Sequence, residues 1–134
     1  DRKRRFLTAR MSPDRPAQIT NAAVATNHQE RVEWTAHARL TATVERERFL
    51  LNRMMLHVDP EEKFIGAFLR PPLFSTAFSL GFGTLYTAVY RPRLGQMELR
   101  WPRGNWTFDI NDFVESQIMI HTPDEGPRFG APMA

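Results

Sequence analysis

The order strand, strand, helix, helix, strand, strand along this chain predicts an α+β fold: an antiparallel sheet with two packed helices. Three observations carry that prediction. Residues 84–90 and 97–101 alternate side-chain character with the two-residue period of a hairpin. Residues 41–56 change to a helical period, and Asp59-Pro60-Glu61-Glu62 opens a second helix. With 134 residues, 42% hydrophobic and 25% charged, there is room for one domain with a real core and little for two.

Phe6–Arg10 is a short β-compatible run, and Ser12-Pro13-Asp14-Arg15-Pro16 after it is a turn signal. Ile19–Ala25 reads as a small apolar strand leading into Thr26-Asn27-His28, and the polar stretch Glu30–Ala36, with Trp34, reads as a loop. In the first helix, about Thr41–Leu56, the residues Leu40, Val44, Leu51, Met54 and Val58 fall near one face, with Glu45, Arg46 and Arg48 off it. In the second, Asp59 can cap, Pro60 suits the first helical position, and Glu62 completes a capping-box spacing. That helix carries Phe64, Ile65, Phe68 and Leu69 and is expected to stop before Pro71-Pro72.

The hairpin places Leu85, Thr87 and Val89 on one face of its first strand and Tyr86, Ala88 and Tyr90 on the other. Arg91–Gln96 makes a connection longer than two residues, in which Gly95 is expected at positive φ. Met97, Leu99 and Trp101 return opposite Glu98 and Arg100, and Pro102–Asn105 ends the strand. Trp106–Phe113 is a short final element, and residues 121–134, rich in Pro, Gly and Asp, read as a flexible tail.

Several function classes fall away. With no cysteine, the chain itself holds no disulfide, thiolate metal site or cysteine nucleophile. The four histidines, His28, His37, His57 and His121, lack metal-ligand spacing, so no metal site is expected. Gly81-Phe82-Gly83 is too short for a dinucleotide fingerprint and precedes a strand, so no cofactor is expected either. Ser75 and Ser79 lie in no nucleophile elbow. Net charge is only +3, and apart from Arg2–Arg5 the basic residues are mixed with acids; a nucleic-acid binder would gather them on one face. No apolar run approaches a membrane span, and the basic start at Asp1 has no apolar segment behind it as a secretory signal would, which leaves the cytoplasm as the default compartment.

What remains is Asn27 at a strand end, followed by arginines at 31, 39, 46 and 48. An asparagine there commonly starts a turn by bonding its own backbone. Alternatively its amide N–H points at negative charge developing in acyl transfer, with an arginine nearby to hold a carboxylate or orient the nucleophile.

Taken together, Ala25-Thr26-Asn27-His28, the helix start Thr43-Val44-Glu45-Arg46…Leu50, and Gly83-Thr-Leu-Tyr-Thr-Ala-Val-Tyr90…Leu99-Arg-Trp-Pro102 resemble the acyl-coenzyme A:6-aminopenicillanic-acid acyltransferase family. That family is related to choloylglycine hydrolases and acid ceramidase, among the N-terminal-nucleophile (Ntn) hydrolases. The resemblance spans about residues 5–113. It implies an αββα sandwich of which this chain, starting at Asp1, is the C-terminal part. It implies an autocatalytically exposed N-terminal cysteine, supplied by upstream sequence, that attacks a linear amide or transfers an acyl group with its own α-amino group as base.

On the same resemblance Asn27 matches the oxyanion-hole asparagine. Its partner arginine is Arg46 by the helix-start pattern or Arg39 by the spacing of more distant relatives. The implied partners are a small amide or acyl substrate and the N-terminal part of the same protein, with no nucleic acid and no membrane. A non-catalytic interaction domain on the same scaffold is the alternative. Only the fragment reading requires a β face left open.

Overall fold

The computed structural model describes residues 6–28, 32, 34–56 and 59–122, which fall into two compact units, Asp1–Val58 and Asp59–Ala134. It is a small α+β structure with three α-helices and two antiparallel sheets among the described residues. Arg2–Arg5, Glu30, Arg31 and Glu33 of the expected loop, Val58 and most of the expected tail lie outside the described residues.

The first unit opens with a hairpin of β1 (Thr8–Ser12) and β2 (Arg15–Thr20), paired from Ser12↔Arg15 to Thr8↔Thr20. The turn falls at Pro13-Asp14, inside the turn signal. The register slips between Arg10 and Ser12, where Pro16 and Ala17 oppose Met11. A bulge suits Pro16, which has no N–H to give the ladder. The second strand therefore precedes the apolar run at 19–25 that suggested it: cross-strand pairing next to a tight turn outweighs local apolarity.

Two helices follow, α1 (Thr35–Leu40) and α2 (Thr43–Leu56). The first was expected to be loop, since six residues carry too little periodicity to register. The apolar face expected for α2 is also corrected. Leu51 and Met54 are 42% and 46% exposed, whereas Thr43 and Leu50 are buried. The inward face carries polar side chains, so counting apolar residues finds the wrong stripe.

The second unit begins with α3 (Glu61–Gly66), continued by a 3-10 turn at Ala67–Leu69 and ended by Arg70, ahead of Pro71-Pro72 as expected. Its cap sits one residue later than predicted. Pro60 holds the N-cap position and its carbonyl accepts from Lys63 and Phe64 N–H, while Asp59 pairs with the Lys63 ammonium at 3.2 Å. A buried irregular segment, Leu73–Ala77, then leads to a three-stranded meander of β3 (Thr87–Arg91), β4 (Gln96–Trp101) and β5 (Gly104–Asp109).

The β3–β4 register, Tyr90↔Met97 and Val89↔Glu98, puts side chains on the faces read from the sequence. Gly95 takes φ +66 in the connection, as expected. Pro102 and Arg103 form a two-residue turn into β5, so the final strand starts at Gly104 instead of Trp106.

One sheet face carries Thr87, Val89, Glu98 and Arg100, and α3 lies against it. Thr87 donates to the Phe68 carbonyl at 3.2 Å, and Glu62 accepts from two Arg100 N–H groups at 2.7 and 3.0 Å. Glu98, 4% exposed, accepts from Arg100 Nε at 2.7 Å, Asn105 at 2.8 Å and Arg91 at 2.9 Å. A buried carboxylate is tolerable only with such saturation. The opposite face is apolar: Tyr86 and Tyr90 are 51% and 64% exposed, and Met97, Leu99, Trp106 and Phe108 lie partly open. Trp101 on that side is buried and donates its indole N–H to the Leu85 carbonyl at 2.8 Å, a packing role.

The hydrogen bond from Arg100, with those from Asn105 and Arg91, holds the Glu98 carboxyl at about 2, below its ordinary 4.5. Because the folded value is the lower one, its contribution to stability is complete above about pH 4.5 and disappears as pH falls toward 2. Urea unfolding of wild type and Glu98→Gln should therefore differ most near neutrality and converge between those two pH values. A constant difference across that range would contradict this assignment.

Candidate functional site

Thr43, Arg46, Glu47 and Leu50 stand at i, i+3, i+4 and i+7 on α2 and so share one face. Leu50 supplies the apolar anchor, 7% exposed, and the other three reach the segment Thr26-Asn27-His28. Thr43 is 1% exposed, and its hydroxyl cannot be left without partners. It donates to Thr26 Oγ1 at 2.8 Å, accepts from the His28 backbone N–H at 3.1 Å, and lies 2.9 Å from His28 Nδ1.

The other ring nitrogen, Nε2, meets the Glu47 carboxylate at 3.1 Å. A carboxylate only accepts, so Nε2 carries the proton in that contact. In the neutral ring Nδ1 then accepts, and the Thr26 hydroxyl, 3.2 Å away, can supply its proton. Each donor finds an acceptor in the closed set Thr43, Thr26, His28 and Glu47. The His28 and Glu47 side chains are 12% and 26% exposed.

Asn27, between the two residues so held, accepts at Oδ1 from Arg46 Nη2. A guanidinium offers only donors, which settles the amide's orientation: Oδ1 faces Arg46, and the two Nδ2–H groups are directed elsewhere. Among the described residues Asn27 makes no further hydrogen bond through its side chain. Burial pushes the Arg46 guanidinium below its ordinary range, a cost accepted where the group has a fixed task.

Asn27, His28 and Thr43 line a cavity of about 410 Å³ in the first unit, together with Arg15, Trp34 and His37. That volume suits a small organic molecule, and its walls mix aromatic and polar groups. Of the residues singled out in the sequence, Asn27 and Arg46 are brought into contact. Arg39 is exposed on α1, and neither it nor Arg46 is among the residues lining the cavity. His28, Glu47 and Thr43 were not singled out, although their signal was in the sequence: Thr43, Arg46, Glu47 and Leu50 recur at helical spacing with three polar members.

Among the described residues no cluster of His, Asp and Glu could hold a metal ion, and no helix is long and apolar enough to cross a membrane. The chain matches no protein-family model, no curated protein and no solved structure.

α2 is aimed by the junction before it. Ala42 takes φ +46 and is 1% exposed, and its carbonyl accepts from Arg46 N–H at 2.9 Å. A left-handed alanine is strained by roughly 1 kcal/mol, about what a glycine loses through its freer unfolded chain. Ala42→Gly should accordingly leave the urea midpoint nearly unchanged. Ala42→Val adds a branched side chain at positive φ with no space for it and should cost about 3 kcal/mol. Equal effects of the two substitutions would show that the junction is not held as described.

Proposed function

We propose that this chain is the C-terminal part of an Ntn-type cysteine amidase or acyltransferase acting on linear amide bonds, its nucleophile supplied by upstream sequence. The observation that carries the reading is the contact of Arg46 with Asn27, a residue that lines a ligand-sized cavity. These are the asparagine and one of the two arginines that the family resemblance singles out, 19 positions apart in the chain.

In the reaction the cysteine sulfur attacks the amide carbonyl and the carbonyl oxygen takes up negative charge. An Asn27 Nδ2–H donates to that oxygen, and Arg46 keeps the amide from turning its own oxygen toward the charge. The cysteine α-amino group receives the thiol proton and passes it to the departing amine. Water then releases the acyl group from the thioester, or a second amine accepts it.

A further support is the open apolar face of the β3–β4–β5 sheet, with Tyr86 and Tyr90 more than half exposed. A sandwich needs a second sheet against such a face. An interaction domain without catalysis is expected to have well-packed sheet faces, and it has no need of an arginine holding Asn27.

The test uses the full-length protein and a panel of acyl p-nitroanilides. Asn27→Ala should lower kcat about 100-fold or more, the usual effect of losing one oxyanion donor. Arg46→Ala should lower it about 10-fold or more through misorientation of Asn27, whereas Arg39→Ala should stay within about twofold, as surface changes do. Activity indifferent to Asn27→Ala would sink the oxyanion role, and a full-length protein without a processed N-terminal cysteine by mass spectrometry would sink the class.

A further inference from the structure

We infer that His28 is a positioning residue for Asn27, fixed by Glu47 and Thr43, and that these three with Thr26 form the device that presents the Asn27 amide to the cavity. Asn27 is itself exposed, and its one side-chain bond, to Arg46, leaves its backbone unheld. Its two chain neighbours are held instead. Thr26 Oγ1 and His28 N–H both bond to the same Thr43 hydroxyl, which is rooted in the first turn of α2. Two anchors on one buried oxygen restrain the peptide units on both sides of Asn27.

The His28 ring adds what a backbone bond alone lacks. Glu47 accepts from Nε2 at 3.1 Å, so the neutral ring turns an acceptor, Nδ1, toward the Thr26 hydroxyl, which itself accepts the Thr43 proton. A ring in the other tautomer would place a proton where the Thr26 hydroxyl needs an acceptor. The carboxylate therefore sets the tautomer, the tautomer orders the hydroxyls, and the hydroxyls hold the segment carrying Asn27. The pattern is that of outer groups orienting a working residue through histidine, with an asparagine amide as the group oriented.

Thr43, Arg46 and Glu47 come from a single helical face, so the whole device moves with α2. The catalytic consequence rests on the oxyanion role proposed above, while the placement of Asn27 does not.

The experiment uses 15N-labelled full-length protein, with the Asn27 side-chain amide pair assigned by its loss in Asn27→Ala. Wild type should show His28 as the Nε2–H tautomer and a dispersed Asn27 amide pair. Glu47→Ala should mix the tautomers, and Glu47→Ala, His28→Phe and Thr43→Val should each move the Asn27 pair toward the position of a freely rotating amide. Thr43→Ser, which keeps the hydroxyl, should restore it. The β1, β2 and α2 resonances report that the first unit is folded in each variant, and the part-exposed Glu47→Ala is the mildest of them.

Against the p-nitroanilides, His28→Phe should lower kcat about 10-fold with KM unchanged, and that loss should vanish when Asn27 is already alanine. An Asn27 pair that stays in place in folded Glu47→Ala and His28→Phe, or a loss of equal size in both backgrounds, overturns the inference. If Asn27→Ala alone leaves hydrolysis unchanged, the oxyanion reading fails, and the amide resonances still decide the positioning.

Discussion

The arrangement of the first unit depends on one buried oxygen. Thr43 Oγ1 has almost no access to water, so its proton and lone pairs must be used inside the protein. They are used on Thr26 and His28, which ties an irregular segment to the start of a helix 15 to 17 residues further along. Once that tie exists, helical spacing alone brings Arg46 beneath Asn27 and Glu47 beneath the His28 ring. A single constraint thus places four side chains, and left-handed Ala42 sets the direction from which α2 supplies them.

The second unit resolves a different conflict. Its sheet buries charge on the face against α3, where Glu98 is surrounded by Arg91, Arg100 and Asn105, and leaves aromatic side chains open on the other. A sheet covered on one side normally turns its apolar face inward. The reversal here makes sense for a layer with apolar surface still to bury, the role that the sandwich reading assigns to it. The hydrogen bonds to Glu98 outweigh its desolvation, so the buried charges both stabilise that layer and fix its orientation.

Legibility in the sequence followed the kind of signal. The faces of the β3–β4 hairpin could be read because strict alternation fixes both and Gly95 marks the turn, although β3 begins at Thr87 and not at Thr84. The end of α3 was legible from Pro71-Pro72, but Pro60 took the cap position expected of Asp59. β2 was displaced because the turn at Pro13-Asp14 decides pairing and the apolar run at 19–25 does not. The inward face of α2 was misread because its members are threonine, arginine and glutamate, which apolar periodicity does not count. Asn27, Arg46 and Arg39 could be named from family likeness, whereas the contacts of Arg46 with Asn27 and of Glu47 with His28 came from geometry alone.

The most direct test of this account is amide hydrogen exchange at the His28 backbone N–H, which donates to the Thr43 hydroxyl at 3.1 Å outside any regular element. If that bond holds the segment, His28 exchanges about 100-fold or more below the rate of an unstructured chain, a protection otherwise expected of helices and strands. Exchange at the unstructured rate, with α2 itself protected, would contradict the account.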